Sequence, residues 1–251
     1  MTLPYLVAAR QLAAAARATL PEQILAASGR VLYSPASTLS GKSPIYFLGL
    51  NPGEDEAGAE QHNRTTVEED LERLATDKIA QHAYLDEKWK NASAGMAPIQ
   101  MRGKQVFSII AGEDQAEGLT LLRNTPVSNF IFRRSPSEAA LKQHTGLKPL
   151  DLANLCWPLH DAVIRHAGIK IVLTHAVGIA REFANSRGLG LGHQRPSGWG
   201  GTLNTLYAWD MAGGVRMLAI PNLSRYSPGG QRTEALAAFF KEFAPASSTL
   251  H

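Results

Sequence analysis

The chain has 251 residues, 44% hydrophobic and 19% charged, with 22 glycines and 14 prolines; this fits a globular protein with a sizeable core and excludes collagen, coiled coil and extended disorder. Its one cysteine, Cys156, excludes a disulfide scaffold and any zinc ribbon or iron–sulfur cluster held by the chain's own thiolates. The 25 basic and 22 acidic residues leave a formal charge of +3, which permits an anionic partner such as nucleic acid without demanding one.

Met1 to Leu20 is rich in alanine, but Arg10 and Arg17 interrupt its apolar stretch and no basic residue precedes it. An amphipathic helix ending near Pro21 is therefore expected rather than an export signal. No run approaches the ~18 apolar residues of a spanning helix, so a soluble, cytoplasmic protein without a membrane partner is expected. Ile45 to Leu50 is a continuous apolar run stopped by Asn51-Pro52-Gly53, a buried strand and its turn. Thr65 or Thr66, followed by Glu68 or Glu69, is a capping box that opens a helix to about Lys78. Pro98 to Ala111 reads as a helix and Val127 to Phe132 as a second strand. Leu150 to Ala167 reads as a helix that Pro158 kinks or splits. Ile169 to Leu173 and Met217 to Ile220 are the third and fourth strands. Val177 to Asn185 and Thr233 to Phe243 are the helices that follow them. Thr202 to Trp209 fits either a strand or a short helix, and Ser186 to Gly201 reads as a long surface loop.

This alternation predicts an α/β fold: three layers, α/β/α, around a central, mainly parallel four-stranded sheet. A single domain over residues 1–251 is expected, with an N-terminal helical extension over about residues 1–40.

Two glycine motifs carry no phosphate site. Ala36 to Ser43 ends Gly41-Lys42-Ser43 like a P-loop, but a strand follows where a helix is required. The cluster Gly188, Gly190, Gly192 follows a helix and has His193 where a dinucleotide fingerprint needs glycine. His160 and His166 are six residues apart and share no helix face, so no metal site is expected. Cys156 sits in a helical stretch and reads as core. What remains is the strand ends: Gly49 to Gly53, the amide Asn129 inside an apolar strand, and the polar loop Asn222 to Pro228. In open α/β sheets ligands gather outside the carboxyl ends of the strands, where all three converge.

The order of these segments resembles the uracil-DNA glycosylase superfamily over most of the chain, from about Pro44 to Phe243. Gly49-Leu50-Asn51-Pro52-Gly53 resembles the first motif of its mismatch-specific and single-strand-selective branches. Ser128-Asn129-Phe130-Ile131 followed by Arg133-Arg134 resembles the base-reading strand. Ile171 to Ala176 resembles the third strand with its turn, and Leu218 to Pro228 resembles the last motif, whose loop pushes a residue into DNA. This chain departs from that pattern in having Asn222-Leu223-Ser224 where a histidine or asparagine is followed by Pro-Ser. It also carries Glu54, Asp55 and Glu56 directly after Gly53.

The resemblance implies a DNA glycosylase that hydrolyses the N-glycosidic bond of uracil or a related damaged base, needs no cofactor, and has DNA as its partner. It implies catalytic roles for Asn51 and Asn222 and a base pocket at Gly49, Leu50 and Asn129. Asn51 cannot act as a strong base, but its amide oxygen can accept a hydrogen bond from water and orient it; Glu54 is the alternative activator. The Asn129 amide can meet the donor and acceptor of a uracil edge as a fork. Ser224, Arg225 and Tyr226 form the expected wedge, with Arg225 or Tyr226 filling the gap left by a flipped nucleotide. Arg133, Arg134 and Arg195 are expected at phosphates, and Tyr84 or Trp89 is expected to stack on the base. The alternative is a non-catalytic relative that binds nucleotide, nucleic acid or a protein partner; a small-molecule enzyme using the same pocket is a third reading.

Overall fold

One mixed sheet of six strands organises the computed structural model, which describes residues 3–51, 53, 65–89, 91–201 and 204–244. In chain order the strands are β1 (Ile45–Gly49), β2 (Val127–Asn129), β3 (Ile171–Thr174), β4 (His193–Pro196), β5 (Thr205–Asp210) and β6 (Arg216–Ala219). Side by side they run β2-β1-β3-β6-β5-β4. The first four are parallel, as expected. The expected four-stranded sheet is nevertheless too small, because β5 and β4 add an antiparallel hairpin beyond β6. Every residue of β4 is exposed, so this edge strand carries no alternating apolar signal and reads as loop. β5 buries Leu206 to Trp209 without a break, and a short unbroken apolar run does not distinguish strand from helix.

Nine helices are found among the described residues: α1 (Pro4–Thr19), α2 (Glu22–Leu25), α3 (Val67–Ala75), α4 (Pro98–Ile110), α5 (Gln115–Asn124), α6 (Glu138–Thr145), α7 (Pro149–His166), α8 (Val177–Ser186) and α9 (Gln231–Phe243). The capping box of α3 forms between Thr66 and Glu69, each side chain meeting the other's backbone N–H, at 3.1 and 2.8 Å. The α5 and α6 helices have no counterpart in the sequence reading. They bury few apolar residues, chiefly Leu122 and Leu141, so their periodicity is faint. Their caps were legible: Asp114 accepts from the amides of Ala116 and Glu117, and Ser137 accepts from that of Ala140. α7 runs through Pro158 as one element. No helix among the described residues is long and apolar enough to cross a membrane.

Side chains alternate across a strand, and the two faces of this sheet bury different sets. Tyr46, Leu48, Val172 and Met217 join the core under α1, α3, α7 and α8. Ile45, Phe47, Val127, Ile171, Leu173, Leu218 and Ile220 join the core under α4 and α9. α1 is part of the first layer: Ala8, Ala9, Leu12, Ala13 and Ala16 are all buried. The segment after α2 runs along the outer side of β2. Tyr33 donates its amide to Val127 O, Arg30 to Phe132 O, and Arg134 in return to Ser28 O. Beyond β2 the pairing with β1 continues, as Phe130 and Ile131 donate to the carbonyls of Gly49 and Leu50. The chain passes from β1 outward to β2 and then back across to β3, so the order reverses at β1, where a crevice at the carboxyl ends is expected.

Candidate functional site

Two residues past Phe47, Val127, Leu173 and Ile220 stand Gly49, Asn129, His175 and Asn222. All four continue the alternation of the α4–α9 face, and they gather at its carboxyl end. Gly49 lies opposite Asn129 in the β1–β2 register. A Cβ on Gly49 would overlap Asn129 Oδ1 and come within 3.3 Å of His175 Nε2, so the absence of a side chain there lets amide and imidazole approach. His175 packs on Phe47, ring centroids 5.4 Å apart, and its Nε2 lies 3.3 Å from the Tyr84 hydroxyl. The Asn222 side chain interacts with the same imidazole, and its Oδ1 accepts from the Ser224 amide at 2.9 Å. Asn51, two residues beyond Gly49, donates its amide nitrogen to Ser135 O at 3.0 Å.

The three asparagines are half-buried, with His175 and Tyr84 buried beneath them. Burial pushes the His175 imidazole down to about 4, so it is neutral at physiological pH. Burial raises the Tyr84 phenol. Tyr84 packs on Phe47 and stands over Gly103 of α4, where any side chain would strike its ring. Trp89 meets Tyr84 edge-on at 5.6 Å and is half-exposed, with its Nε1 donating to Glu87 Oε2 at 3.3 Å. Of the two aromatics expected to stack on a base, both reach the site, but only Trp89 offers an open surface. Glu87 is held in turn by Arg30 at 2.7 Å.

Other expected residues diverge. Leu50 turns into the opposite core, leaving its carbonyl to pair with Ile131. Tyr226 is fully buried, with its hydroxyl donating to Ser197 O at 2.9 Å, which corrects its assignment to the wedge. Its ring packs against Trp199, a contact so distant in sequence that no local pattern announces it. Ser224 and Arg225 are exposed. Their loop is pinned by Arg102 of α4, whose Nη1 donates to the carbonyls of Leu223 and Ser224 at 2.7 and 2.9 Å. Arg133 and Arg134 part company. Arg133 lines a separate cleft of about 260 Å³ with Ile24 and His144, whereas Arg134 reaches toward the first motif and donates to Gly53 O at 3.4 Å. Arg195 is paired with Glu242, so its guanidinium is already engaged. A second cleft, of about 650 Å³ between α7 and α8, also lies away from the strand ends. Pro52 and the acidic run Glu54, Asp55 and Glu56 lie outside the described residues.

The remaining candidates are structural. His160 sits between Tyr46 Oη at 2.8 Å and Phe130 O at 3.3 Å, buried and neutral. Burial raises the Cys156 thiol to about 12, which leaves no thiolate. No group of acidic, histidine or cysteine side chains suited to a metal occurs among the described residues. His175 is the site residue that the sequence reading missed. The signal was available, since it follows buried Leu173 by two, as Asn129 follows Val127.

No protein-family model matches the chain, and no curated protein matches it in sequence.

Proposed function

We propose that the chain is a DNA glycosylase that hydrolyses the N-glycosidic bond of uracil or a related damaged base. The observation that carries this reading is the gathering of the Asn129 and Asn222 amides around Gly49 and His175 at the carboxyl edge of the parallel strands, with Asn51 two residues beyond Gly49 and bonded to Ser135 O. A flipped pyrimidine would lie on the half-exposed face of Trp89 with its edge toward Asn129. Cleavage of a base–sugar bond proceeds with oxocarbenium character, so the site must hold the base, stabilise charge as it departs and position water more than it must create a nucleophile. The described rim suits that task. Its imidazole is neutral, the Glu87 carboxylate beside Trp89 is held by Arg30 and Trp89, and its polar groups are mainly amides. Asn51 orients the water and Asn222 faces the departing base. Arg134 and Arg225 are the cations placed to meet phosphates.

The test is incubation with uracil-containing oligonucleotides followed by alkali. Strand scission at uracil supports the reading, and its absence on both single and double strands ends it. Loss of all cleavage in Glu54→Gln but not in Asn51→Ala would transfer water activation to Glu54. The second reading, a non-hydrolytic relative that binds nucleotide or nucleic acid, is favoured by one observation: Arg102 ties down the loop after β6, and Tyr226 is built into the core. Uracil-DNA binding without base release would select it.

A further inference from the structure

We propose that the Arg30–Glu87 ion pair is a positioning element of this site: through the second oxygen of Glu87 it holds the Trp89 indole at the angle at which a flat ring can lie on its open face. The use of that face for a flipped base rests on the glycosylase reading, whereas the hold on the indole does not.

Trp89 stands in the irregular stretch between α3 and α4, where no helix or strand fixes the direction of a side chain. The backbone there is tied down by separate bonds. The Glu87 carbonyl accepts from Gly95 N at 3.0 Å and from the Gln100 side chain of α4 at 2.9 Å, and the Trp89 carbonyl accepts from Ala92 N at 3.2 Å. These bonds leave the indole free to turn about its side-chain torsions. Two contacts set its orientation. Tyr84 meets the ring edge-on at 5.6 Å, and Nε1, the single polar atom of an indole, donates to Glu87 Oε2 at 3.3 Å.

A carboxylate orients a neighbour only if it is itself held. Glu87 Oε1 receives Arg30 Nη1 at 2.7 Å, and the two side chains are only 14% and 19% exposed. Arg30 is anchored in turn: its Nε donates to Leu32 O at 2.9 Å, and its guanidinium lies over the Tyr33 ring, 4.5 Å from the centroid. A planar fork engaged on its edge and its face is a rigid post, as a flexible ammonium would not be. The chain of contacts thus runs from the segment that borders β2, through a shielded ion pair, to the indole at the rim. Stability alone does not call for such a pair, since apolar side chains of similar volume often serve as well in a buried place. What they cannot do is accept the indole proton.

The experiment uses the full-length protein with tryptophan labelled at the ring nitrogen. Arg30→Met/Glu87→Met replaces the pair by apolar side chains, Trp89→Phe identifies the Trp89 signal, and a triple variant combines them. The Trp89 Nε1–H signal should move in Arg30→Met/Glu87→Met, and its exchange with solvent should quicken by ~10-fold or more. The signals of the other three tryptophans should stay in place. Base–aromatic stacking is worth roughly 10- to 100-fold in affinity, so Kd for a single-stranded uracil oligonucleotide should rise ~10-fold in the pair variant. In the Trp89→Phe background the same pair substitutions should add less than ~2-fold, because no indole proton is left to hold. An indole signal that stays put, an unchanged Kd, or an equal loss with and without the indole overturns the proposal. If the pair variant does not fold, Glu87→Gln replaces it, since one amide oxygen cannot serve both Arg30 and the indole; an unmoved Trp89 signal overturns the proposal there. A displaced indole signal in a protein whose wild type releases no base would remove the glycosylase reading and leave the hold on Trp89 standing.

Discussion

Gly49 shows how much a single missing side chain can decide. Its place opposite Asn129 is fixed by strand register, and the space above its Cα is taken by the Asn129 amide oxygen and the His175 ring. Gly49→Ala should therefore push Asn129 aside, with a cost on the order of 1–3 kcal/mol from overpacking. Uracil excision should fall ~100-fold through the displaced amide. Thermal melting and single-turnover cleavage would separate the two effects, and a variant with full activity would show that Asn129 does not need that space. Asn129→Asp should also abolish uracil removal while leaving the melting temperature nearly unchanged, because a carboxylate offers the base edge no donor. At this scale the sequence was informative where alternation carried the message. Asn129 could be picked out as an amide inside an apolar strand, and Gly49 as part of the motif that closes one. His175 obeys the same rule, but it has no histidine partner at metal-ligand spacing and no motif that marks it as a site residue. The burial of Tyr226 is not legible, because a loop tyrosine shows no sign in sequence of the distant Ser197 carbonyl and Trp199 ring that hold it.

Among the elements, α4 ties fold to site. It covers the core beneath the strand ends, makes room for Tyr84 at Gly103, and holds the loop after β6 through Arg102. Arg102→Ala should free that loop while leaving the core intact. Faster amide exchange confined to residues 222–226, with reduced cleavage, is the expected result; unchanged exchange would show the loop to be held by Tyr226 alone. α3 offers a cleaner energetic case, since Thr66→Ala removes a fully formed capping box and should cost about 1 kcal/mol in chemical denaturation. Elements with clear apolar periodicity or continuous apolar runs were readable from sequence, and a cap alone was not enough. Those stabilised chiefly by tertiary position were not: β4 pairs with β5 while exposing every side chain, and α5 and α6 lean on few buried residues.

For the molecule as a whole, three buried histidines among the described residues shape the response to acid. Burial pushes His82, His160 and His175 down to about 4 from an ordinary value of 6.5. In the unfolded chain each takes up a proton near its ordinary value, whereas the native protein resists until near 4. Their stabilisation is thus fully present above 6.5 and is lost progressively as pH falls through that window. Asp70, raised mainly by burial, acts in the opposite sense at the acid end and offsets part of the loss. The melting temperature should therefore drop between about pH 7 and about pH 5, and His160→Gln should flatten the slope. A melting temperature indifferent to pH over that interval would contradict the burial of these rings. The parallel order at the heart of the sheet was legible from alternating strands and helices, while its antiparallel flank was hidden in a glycine-rich stretch.

The strand bearing Asn129 is the outermost of the parallel set, and what lies against its free side is the stretch from Ser28 to Tyr33. That stretch works as a hem. Arg30→Pro, which removes the amide that Phe132 O accepts and leaves α1 in place, would loosen the border of that edge, an invitation to join a second copy edge to edge. The altered protein should self-associate, so the opening segment, remote in sequence from every amide of the rim, is what keeps that strand solitary.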